Sequence, residues 1–498
     1  MFKKILIANR GEIALRIART CREMGIETVA VFSDLDRHSP FVHFCDEAYP
    51  LGGMTSLETY LRVDKILKIC RASGAEAIHP GYGFLSENAA FARDVSNAGI
   101  TFIGPPAEAI ELMGNKTSAR TKMIAAGVPV VPGTEHAIKS LVEAVATCRD
   151  IGFPVLIKAA AGGGGKGMRF VENQKDLANA IDAARREAAA AFGNSDVYIE
   201  KFVEEPRHIE FQILADAHGR TIHLGERECS IQRRHQKVIE EAPSVLLDTG
   251  LRTDMGAAAV KAAEACGYRN AGTIEFLVDK NRRFYFLEMN TRLQVEHPVT
   301  EMVTGLDLVK EQLLIADGQR MSLDKSVECF WGHAIECRIY AENPDDNFAP
   351  SPGVIQHISP PNGPGIRVDS GVTAGNEISL YYDPMISKLI CWAPSRTDAI
   401  KKMIRALQEY ELTGIHSTIP FLIKVLEHQR FATGNFTTRF ISEESSLFDL
   451  DEQKGRIAAF AAAILYDLDK NKKRYQDVPE QSLSTWKQTK RRNLLSRP

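Results

Sequence analysis

The sequence predicts an α/β protein of several domains, and three observations support this prediction. Short apolar runs alternate with helical patterns through about the first 110 residues, which is typical of a parallel sheet built from βαβ units. A glycine-rich loop separates two predicted strands close to residue 160. The 498 residues are enough for about three domains, each with its own core.

Composition excludes several classes of protein. Apolar residues make up 44% and charged residues 25% of the chain, as in ordinary globular proteins. The net charge of −3 and a pI near 6.5 argue against a protein that mainly binds nucleic acid. No apolar run approaches the roughly 18 residues that a membrane span requires. The short apolar run after Lys4 and the nine scattered cysteines predict reduced thiols and a cytoplasmic protein.

The N-terminal region reads as strands and helices in alternation. We predict strands at residues 4–8, 27–32 and 75–78, with helices at 12–23 and 57–72. A helix at 116–126 precedes a loop at 127–133, whose paired prolines and glycines mark a domain boundary. Together these elements predict a parallel sheet with right-handed crossovers.

The rest of the chain contains three further regions. Residues 134–203 read as a small α/β unit with helices at 139–149 and 174–192 and strands at 155–158 and 168–171. Residues 204–316 look antiparallel at first and end in a helix at 306–316. A β-rich region follows, punctuated by prolines at 350–352 and 360–364. The last 50 or so residues hold an apolar helical segment at 455–468 and a basic tail.

The glycine loop at 162–167 predicts a phosphate-binding flap. Gly162, Gly164 and Gly167 match G-x-G-x-x-G, but a strand follows instead of the helix that a dinucleotide fold requires. Gly167 also follows Lys166 where a P-loop has Ser or Thr. Backbone N–H groups of glycines can approach phosphate oxygens closely, and Lys158 ends the preceding strand. A surface hairpin without a ligand is the alternative.

An acidic hairpin at 272–290 predicts a metal site. A four-residue turn would place Asp279 opposite Phe284 and therefore Glu275 opposite Glu288, with Asn290 on the same face. Like charges opposite each other destabilise a sheet unless something neutralises them. Two carboxylates and an amide suit Mg²⁺, which keeps positions open for phosphates. The alternative is two solvated surface glutamates.

Residues 208–213 alternate strictly between polar and apolar. His208, Glu210 and Gln212 face one side of this strand, and Ile209, Phe211 and Ile213 face the other. A half-exposed strand would show the same pattern. Residues 200–203 could offer backbone groups to an adenine, and the basic loop at 232–237 could face an anionic substrate or only solvent.

The segment at 291–298 follows the acidic hairpin directly. Arg292 can bind a small oxyanion with its planar guanidinium, and Glu296 is a candidate general base. The alternative is a plain ion pair between these two side chains, and the residues alone do not decide between the two readings.

With these features, the chain resembles the biotin carboxylases of the ATP-grasp superfamily. The resemblance covers residues 2 to about 445, close to nine-tenths of the chain. It rests on the glycine flap and on the motifs IANRGEIA at 7–14, HPGYGFLSEN at 79–88, RRHQK at 233–237, FLEMNTRLQVEHP at 286–298 and YDPMI at 382–386.

The resemblance implies an ATP-grasp fold of four regions. These are an N-terminal Rossmann-like parallel-sheet domain at 1–114, an ATP-grasp domain at 115–330 with a mobile lid at about 132–203, a C-terminal mixed α+β domain at 331–446, and an extension at 447–498. It also implies an ATP-dependent ligase. Bicarbonate would attack MgATP to give carboxyphosphate, whose CO₂ would carboxylate N1 of biotin.

The resemblance further implies a role for each matching residue. Mg²⁺, with Mn²⁺ as an alternative ion, would bind at Glu275, Glu288 and Asn290. Bicarbonate and biotin would meet Tyr82, Arg292, Gln294, Val295 and Arg338, while the catalytic residues would be Arg292, Glu296, Lys237 and Arg338. The expected ATP contacts are Lys116, Lys158, Gly163, Gly164, Gly165, Gly167, Met168, Glu200, Lys201, Val203, His208, Gln232 and His235.

Two positions depart from the family pattern. Asn115 stands where Asp is expected before the phosphate-binding lysine, which puts the local loop geometry in doubt. Ser387 stands where Ala or Gly is usual. Neither position coincides with a proposed catalytic role.

The resemblance also implies partners. The chain lacks a Met-Lys-Met biotin acceptor, so we expect the biotin carrier protein and the carboxyltransferase to be separate chains, and we expect the extension to dock one of these partners. Relatives form homodimers through the first helix, where Arg16, Arg19 and Glu23 lie. The final carboxyl acceptor stays open among acetyl-CoA, propionyl-CoA, pyruvate and 2-oxoglutarate.

Three other functions fit the sequence less well. A ligase joining another carboxylate to an amine is disfavoured by Tyr82, Arg338 and the segment at 292–296. A catalytically inactive scaffold protein is disfavoured because every proposed catalytic residue is present. A nicotinamide dehydrogenase would rest only on the βαβ start and the misplaced glycine motif.

Overall fold

A computed structural model describes residues 1–134, 136–160, 168–234, 236–448 and 460–468. The chain forms two units, 1–447 and 448–498. The predicted glycine flap at 161–167, His235 and most of the extension lie outside the described residues, so Gly163, Gly164, Gly165 and Gly167 do too. The predicted division into four regions stays a prediction.

The N-terminal region forms a five-stranded parallel sheet in the order β3-β2-β1-β4-β5, as predicted. Apolar side chains cover both of its faces, as expected for a parallel sheet. Its elements are β1 (Lys4–Ile7), α1 (Gly11–Glu23), β2 (Glu27–Phe32), α2 (Pro40–Phe44), β3 (Glu47–Pro50), α3 (Val63–Ser73), β4 (Ala77–His79), α4 (Ala89–Asn97), β5 (Thr101–Phe102) and α5 (Ala107–Gly114).

The helix predicted at 57–72 begins only at Val63, because residues 54–61 form turns. The Glu58 carboxylate accepts hydrogen bonds from the backbone N–H groups of Met54 and Thr55. Such local side-chain bonds give the backbone an alternative to a helix. The segment 54–61 therefore stays a compact loop.

A small α/β unit follows, with the predicted element order. A three-stranded antiparallel sheet in the order β7-β6-β8 packs against two helices around its own core, which includes Ile157, Ile181 and Ile199. Ser140 caps the first of these helices by accepting from the Glu143 N–H. The elements of this stretch are α6 (Lys116–Ala125), α7 (Leu141–Ile151), β6 (Val155–Ala159), β7 (Arg169–Val171), α8 (Leu177–Phe192) and β8 (Val197–Lys201).

An eight-stranded antiparallel sheet in the order β13-β12-β9-β10-β11-β14-β21-β19 forms the centre of the molecule. Its first part contains β9 (Arg207–Ala215), β10 (Thr221–Arg233), β11 (Gln236–Ala242), α9 (Thr249–Ala265), β12 (Asn270–Val278), β13 (Phe284–Asn290), α10 (His297–Thr304) and α11 (Leu308–Ala316). Strand β11 pairs with β14, so the sheet continues across the predicted boundary at 330.

The C-terminal part of the first unit supplies the other strands of this sheet and three small two-stranded sheets. Its elements are β14 (His333–Tyr340), β15 (Glu342–Asn343), β16 (Ala349–Pro350), β17 (Gly353–Val354), β18 (His357–Ser359), β19 (Ile366–Ser370), β20 (Glu377–Ile378), β21 (Met385–Ala393), α12 (Arg396–Glu409), β22 (Glu411–Thr413), α13 (Ile419–Glu427), α14 (Gln429–Ala432) and α15 (Phe440–Glu443).

The two faces of β9 differ as the sequence predicts. Ile209, Phe211 and Ile213 join an apolar core with α9. The opposite side chains, Glu210 and Gln212, are fully buried, so the alternative of a half-exposed strand is wrong. A buried polar face is unusual and must be satisfied internally.

In the second unit, residues 460–468 form a helix whose apolar side chains are exposed. Among the helices of the described ranges, none combines the length and the apolar character needed to cross a membrane. All nine cysteines are free thiols.

The three α1 residues named for the expected dimer interface differ in their exposure within one chain. Arg16 is buried inside this chain, where it donates to Glu301 and Asp307 at 2.8 Å each. Its guanidinium therefore anchors α1 to α10 and to the start of α11. Arg19 and Glu23 are exposed on the same helix.

We predict that Gly371→Ala destabilises the fold. A Cβ at Gly371 would lie 2.4 Å from the backbone nitrogen of Glu12, where the end of β19 crosses the start of α1. Overpacking of this kind costs about 1–3 kcal/mol, measurable by denaturant unfolding. Gly114→Ala, whose new Cβ meets no atom within 4 Å, is the control. Equal stability of both variants would contradict this packing.

Candidate functional site

The acidic hairpin places Glu275 directly opposite Glu288, as predicted. The predicted register next to the turn is wrong, however, because Val278 and not Asp279 lies opposite Phe284. The turn is one residue longer, and the Asp279 carboxylate holds it by accepting from two backbone N–H groups. A β-bulge then shifts the register between Glu275 and Phe276, which restores the pair.

Glu275 is the most heavily bonded carboxylate of the hairpin. Its Oε1 accepts from Asn290 Nδ2 at 2.8 Å, Gln294 Nε2 at 3.1 Å and Lys237 Nζ at 3.0 Å. Its Oε2 lies 2.7 Å from His208 Nε2. Burial would raise the pKa of Glu275, but Lys237 and His208 lower it well below its usual value. Glu275 is therefore a fixed negative charge.

Lys237 joins three buried carboxylates into one cluster. Its Nζ donates to Glu210 at 2.6 Å, to Glu275 at 3.0 Å and to Glu296 at 2.5 Å. Burial alone would lower the pKa of Lys237, but the surrounding acidic groups raise it well above its usual value. The ammonium thus neutralises a point where three anions converge.

Arg338 connects this cluster to the next group of side chains. Its guanidinium donates to Glu296 Oε2 at 2.9 Å and to Glu240 Oε1 at 2.7 Å. Against the effect of burial, Lys237 and Arg338 hold the pKa of Glu296 well below its usual range. Glu296 is therefore ionised while these two cations remain in contact with it.

Arg292 does not pair with Glu296. Its Nε donates to Glu87 Oε2 at 2.9 Å, and its Nη2 donates to Asn290 at 3.3 Å. The plain Arg292–Glu296 ion pair that the sequence left open is therefore wrong. Sequence reasoning missed Glu87 as the partner because 205 residues separate the two.

A fully buried arginine, Arg227, lies beneath the cluster and was also missed. It donates to Glu210 at 2.5 Å and to Gln212 at 2.7 Å. It also donates to Gln294 Oε1 at 3.2 Å. The charged run Glu226–Glu228, which lies within β10, was a signal, because charged residues are almost never fully buried without partners.

The hairpin suits a hard divalent cation. Glu275 and Glu288 offer oxygen ligands from one pair of the ladder, and Asn290 offers one from the same face two residues further along. Partial burial in the cleft and the neighbouring Glu275 raise the pKa of the Glu288 carboxyl. A divalent cation would relieve this repulsion, so the donor set fits Mg²⁺.

The predicted nucleotide residues lie near this hairpin or near β8. Lys116 Nζ is 3.9 Å from Glu288, and Lys158 Nζ donates to Glu200 at 2.6 Å. Gln232 Nε2 and His208 Nδ1 are 2.7 Å apart.

The other predicted nucleotide residues lie at β7 and β8. The ammonium of Lys201 donates to the backbone carbonyls of residues 152 and 153. Val203 is buried at the end of β8, and Met168 lies at the start of β7.

A cavity of about 530 Å³ opens beside the cluster. Tyr82, Arg292, Val295 and Arg338 line it, so the structure brings together four of the five residues expected to contact bicarbonate and biotin. The fifth, Gln294, lies behind them and bonds to Glu275 and Arg227.

A buried lysine, Lys388, supports the wall of this cavity and was missed from the sequence. Its Nζ donates to the Val295 carbonyl at 3.0 Å and lies 3.3 Å from Glu12 of α1. It also lies 5.8 Å from the centre of the Tyr82 ring. A lysine within the apolar run at 386–390 was the available signal.

The two departures from the family pattern are accommodated locally. Asn115 caps α6, since its side chain accepts from the Ser118 N–H at 3.0 Å. The Ser387 hydroxyl lies 2.9 Å from the Tyr410 hydroxyl within the core.

Behind Arg338, two carboxyls face each other on neighbouring strands. Glu240 of β11 is opposite Glu336 of β14, and both are fully buried. Neither oxygen of Glu336 has a hydrogen-bond partner. Burial raises the pKa of Glu336 well above its usual value and that of Glu240 to about 7. Burial without a hydrogen-bond partner therefore favours the protonated form of Glu336 in the folded protein.

Three family models match the chain. The model described as "Biotin carboxylase, N-terminal domain" matches residues 1–110. "Carbamoyl-phosphate synthase L chain, ATP binding domain" matches 115–324, and "Biotin carboxylase C-terminal domain" matches 336–443.

Similar proteins carry consistent names. "Biotin carboxylase 1" of Bacillus subtilis is 55% identical over 442 residues, which cover 89% of this chain and 98% of that protein. The "2-oxoglutarate carboxylase small subunit" of Hydrogenobacter thermophilus is 49% identical over 467 residues, covering 93% of this chain and 99% of that protein.

A solved structure matches the fold as well. The biotin carboxylase domain dimer of Hydrogenobacter thermophilus 2-oxoglutarate carboxylase, in complex with MgADP, ADP and bicarbonate, superposes with a TM-score of 0.86. The two chains are 50% identical, and the match covers 90% of this chain and 99% of that one. The predicted ATP-grasp fold is confirmed.

We predict that Glu336→Gln stabilises the protein most at high pH. Because the folded-state pKa of Glu336 is raised, its contribution is favourable below about pH 4.5 and is lost as pH rises toward the raised pKa. Glutamine mimics the protonated acid at every pH. Raising a pKa by one corresponds to about 1.4 kcal/mol, so the gain in Tm over the wild type should grow as the pH rises above about 4.5, the ordinary pKa of the carboxyl.

The exposed Glu108 provides the control variant, Glu108→Gln. A Tm difference for Glu336→Gln that stays constant over the same pH range would show that Glu336 is ionised in the folded protein.

Proposed function

The chain belongs to the biotin carboxylase family, and we propose that it uses MgATP and bicarbonate to carboxylate biotin carried on a separate protein. It is an ATP-dependent ligase. One observation supports this assignment most directly. Glu296 bonds both to Lys237, which contacts the metal hairpin, and to Arg338, which lines the cavity. The groups needed for the nucleotide and for biotin therefore meet at a single carboxylate.

In the first step, an oxygen of bicarbonate attacks the γ-phosphorus of ATP, and the bond to ADP breaks to give carboxyphosphate. Glu296 accepts the bicarbonate proton. Lys237 and Arg338 stabilise the negative charge that develops on the phosphoryl oxygens. Glu275 and Glu288, with Asn290 beside them, would hold Mg²⁺, which neutralises phosphate charge.

The basicity of Glu296 depends on its ion pairs. While Lys237 and Arg338 both contact it, its pKa is depressed and it is a weak base. An anionic substrate competes for the same two cations. Loss of either contact raises the pKa of Glu296 toward that of a free carboxylate, so substrate binding itself activates the base.

In the second step, carboxyphosphate breaks down to CO₂ and phosphate, the phosphate takes the proton from N1 of the biotin ring, and N1 bonds to the carbon of CO₂. Arg292 and the backbone of Val295, which position bicarbonate for the first step, line the same cavity as Tyr82 and Arg338, which contact biotin. Gln294 supports this set from behind. A closed cleft excludes water, which protects carboxyphosphate from hydrolysis.

The nucleotide occupies the cleft between β8 and the acidic hairpin. Lys116 and Lys158 contact its phosphates, and Glu200, Lys201 and Val203 lie at the adenine. His208 and Gln232, which are 2.7 Å apart, lie near the ribose. The remaining predicted contacts are Met168 and, outside the described residues, His235 and the four flap glycines.

The partners follow from the relatives. The chain covers 98% of a protein named biotin carboxylase and 99% of a protein named as the small subunit of a carboxylase. We therefore infer a carrier protein and a carboxyltransferase on other chains. A homodimer is supported by the dimer of the Hydrogenobacter relative. The predicted cytoplasmic location remains a prediction.

The function is tested by measuring ADP release from the purified full chain with MgATP, bicarbonate and free biotin. We expect release that requires both bicarbonate and biotin. Nucleotide binding without biotin-dependent release would favour the inactive scaffold, and release stimulated by a different amine would favour another ligase.

We predict that Glu296→Gln lowers biotin-dependent kcat by about 10²–10⁴-fold, the usual contribution of a general base. The KM for MgATP should change little, because Glu296 bonds to Lys237 and Arg338 rather than to the nucleotide itself. Glu311→Gln, which alters a buried carboxylate in α11, is the matched control. Near-normal turnover of Glu296→Gln would remove Glu296 as the base.

A further inference from the structure

Four large apolar side chains are exposed on two neighbouring loops. The exposed fractions are 42% for Met54, 74% for Leu57, 70% for Leu380 and 51% for Tyr381. We name these four residues the apolar rim. The sequences around them, MTSL at 54–57 and SLYY at 379–382, contain no charged residue.

Specific contacts hold the two loops together. The Thr59 hydroxyl lies 3.2 Å from the Tyr382 hydroxyl. The Tyr60 ring stacks on Phe84 at 5.1 Å and meets the Tyr382 ring edge-on at 5.8 Å. Arg10 covers the Tyr382 ring at 4.3 Å. These contacts hold the two loops that carry the apolar rim in a fixed position relative to each other.

The rim borders the cavity. Leu380 and Tyr381 line the cavity and are also exposed, and Ser56, next to Leu57, lines it from the other loop. Leu57 and Met54 do not line it, so they contribute only to the surface outside. The apolar surface is thus continuous with the cavity assigned to biotin.

We propose that the apolar rim docks the biotin carrier protein, through the surface of the carrier around its biotinylated lysine. This inference rests on the proposed function. Biotin on a carrier cannot enter the cavity unless the carrier surface reaches the mouth. Four exposed apolar or aromatic side chains in two adjoining loops have the composition of an interface core, and the exposed carboxylates of Glu58 and Asp383 directly beside them would form its polar edge. Its small size suits a partner that must leave after each turnover.

The test compares free biotin with carrier-bound biotin as substrates of the full chain. The carrier is the biotinylated protein purified with the chain from its own cells. The variants are Leu57→Ser and the double variant Met54→Ser with Leu57→Ser, since neither residue lines the cavity. We expect KM for the carrier to rise about tenfold or more, with KM for free biotin unchanged.

Two further variants sharpen the result. Val142→Asp places a charge at an apolar residue that is 80% exposed on α7, outside the cavity, and should leave both KM values unchanged. Leu57→Asp should raise the carrier KM at least as much as Leu57→Ser. If Leu57→Asp raised the carrier KM and Leu57→Ser did not, the introduced charge and not the loss of the apolar side chain would be responsible. That result would overturn apolar docking.

Different measurements test the docking inference and the proposed function. Absence of biotin-dependent ADP release in the wild type, with free biotin, would overturn the proposed function. Normal activity with an unchanged carrier KM in the rim variants would overturn only the docking inference. A change in oligomeric state without a change in carrier KM would assign the rim to a second copy of this chain and would also overturn it.

Discussion

The arrangement of buried charges in the cleft depends on the ammonium of Lys237. Three carboxylates with almost no contact with water, those of Glu210, Glu275 and Glu296, converge on it. Removing one partner from a buried charge cluster leaves an uncompensated charge, which costs several kcal/mol. The sheet therefore tolerates its buried polar face only because cations are placed against it. The same balance makes the cleft receptive to phosphate anions and to a divalent cation, which can take over these contacts.

The second constraint is that regions distant in the chain build the cavity together. Lys388 of β21 contacts the Val295 carbonyl, Glu12 of α1 and the Tyr82 ring. Lys388 is fully buried. Its single ammonium therefore contacts the N-terminal region, the segment after the hairpin and the C-terminal strands at the same time. The central sheet continues across these regions, and Arg338 on β14 belongs both to the charged cluster and to the cavity lining.

Local patterns predicted most of the fold. The βαβ start, the small α/β unit and the acidic pair followed from periodicity and turn residues. The errors have physical reasons. A longer turn and a compensating β-bulge changed the register around Glu275 without changing the pair, and Glu58 held residues 54–61 out of a helix. The partners of Arg292 and Glu296 depend on contacts far apart in the sequence, which no local pattern specifies. Arg227 and Lys388 were visible only as charges within apolar strands.

The central claim is that Glu275 and Glu288 hold the cation of a metal–nucleotide substrate, next to Lys237. A crystal structure of the full chain with ADP and Mn²⁺, with the anomalous scattering of manganese recorded, tests it most directly. The account predicts an anomalous peak bonded to carboxylate oxygens of both residues and to the phosphates of ADP. A peak at other side chains, with these two carboxylates still bonded only to protein groups, would contradict it.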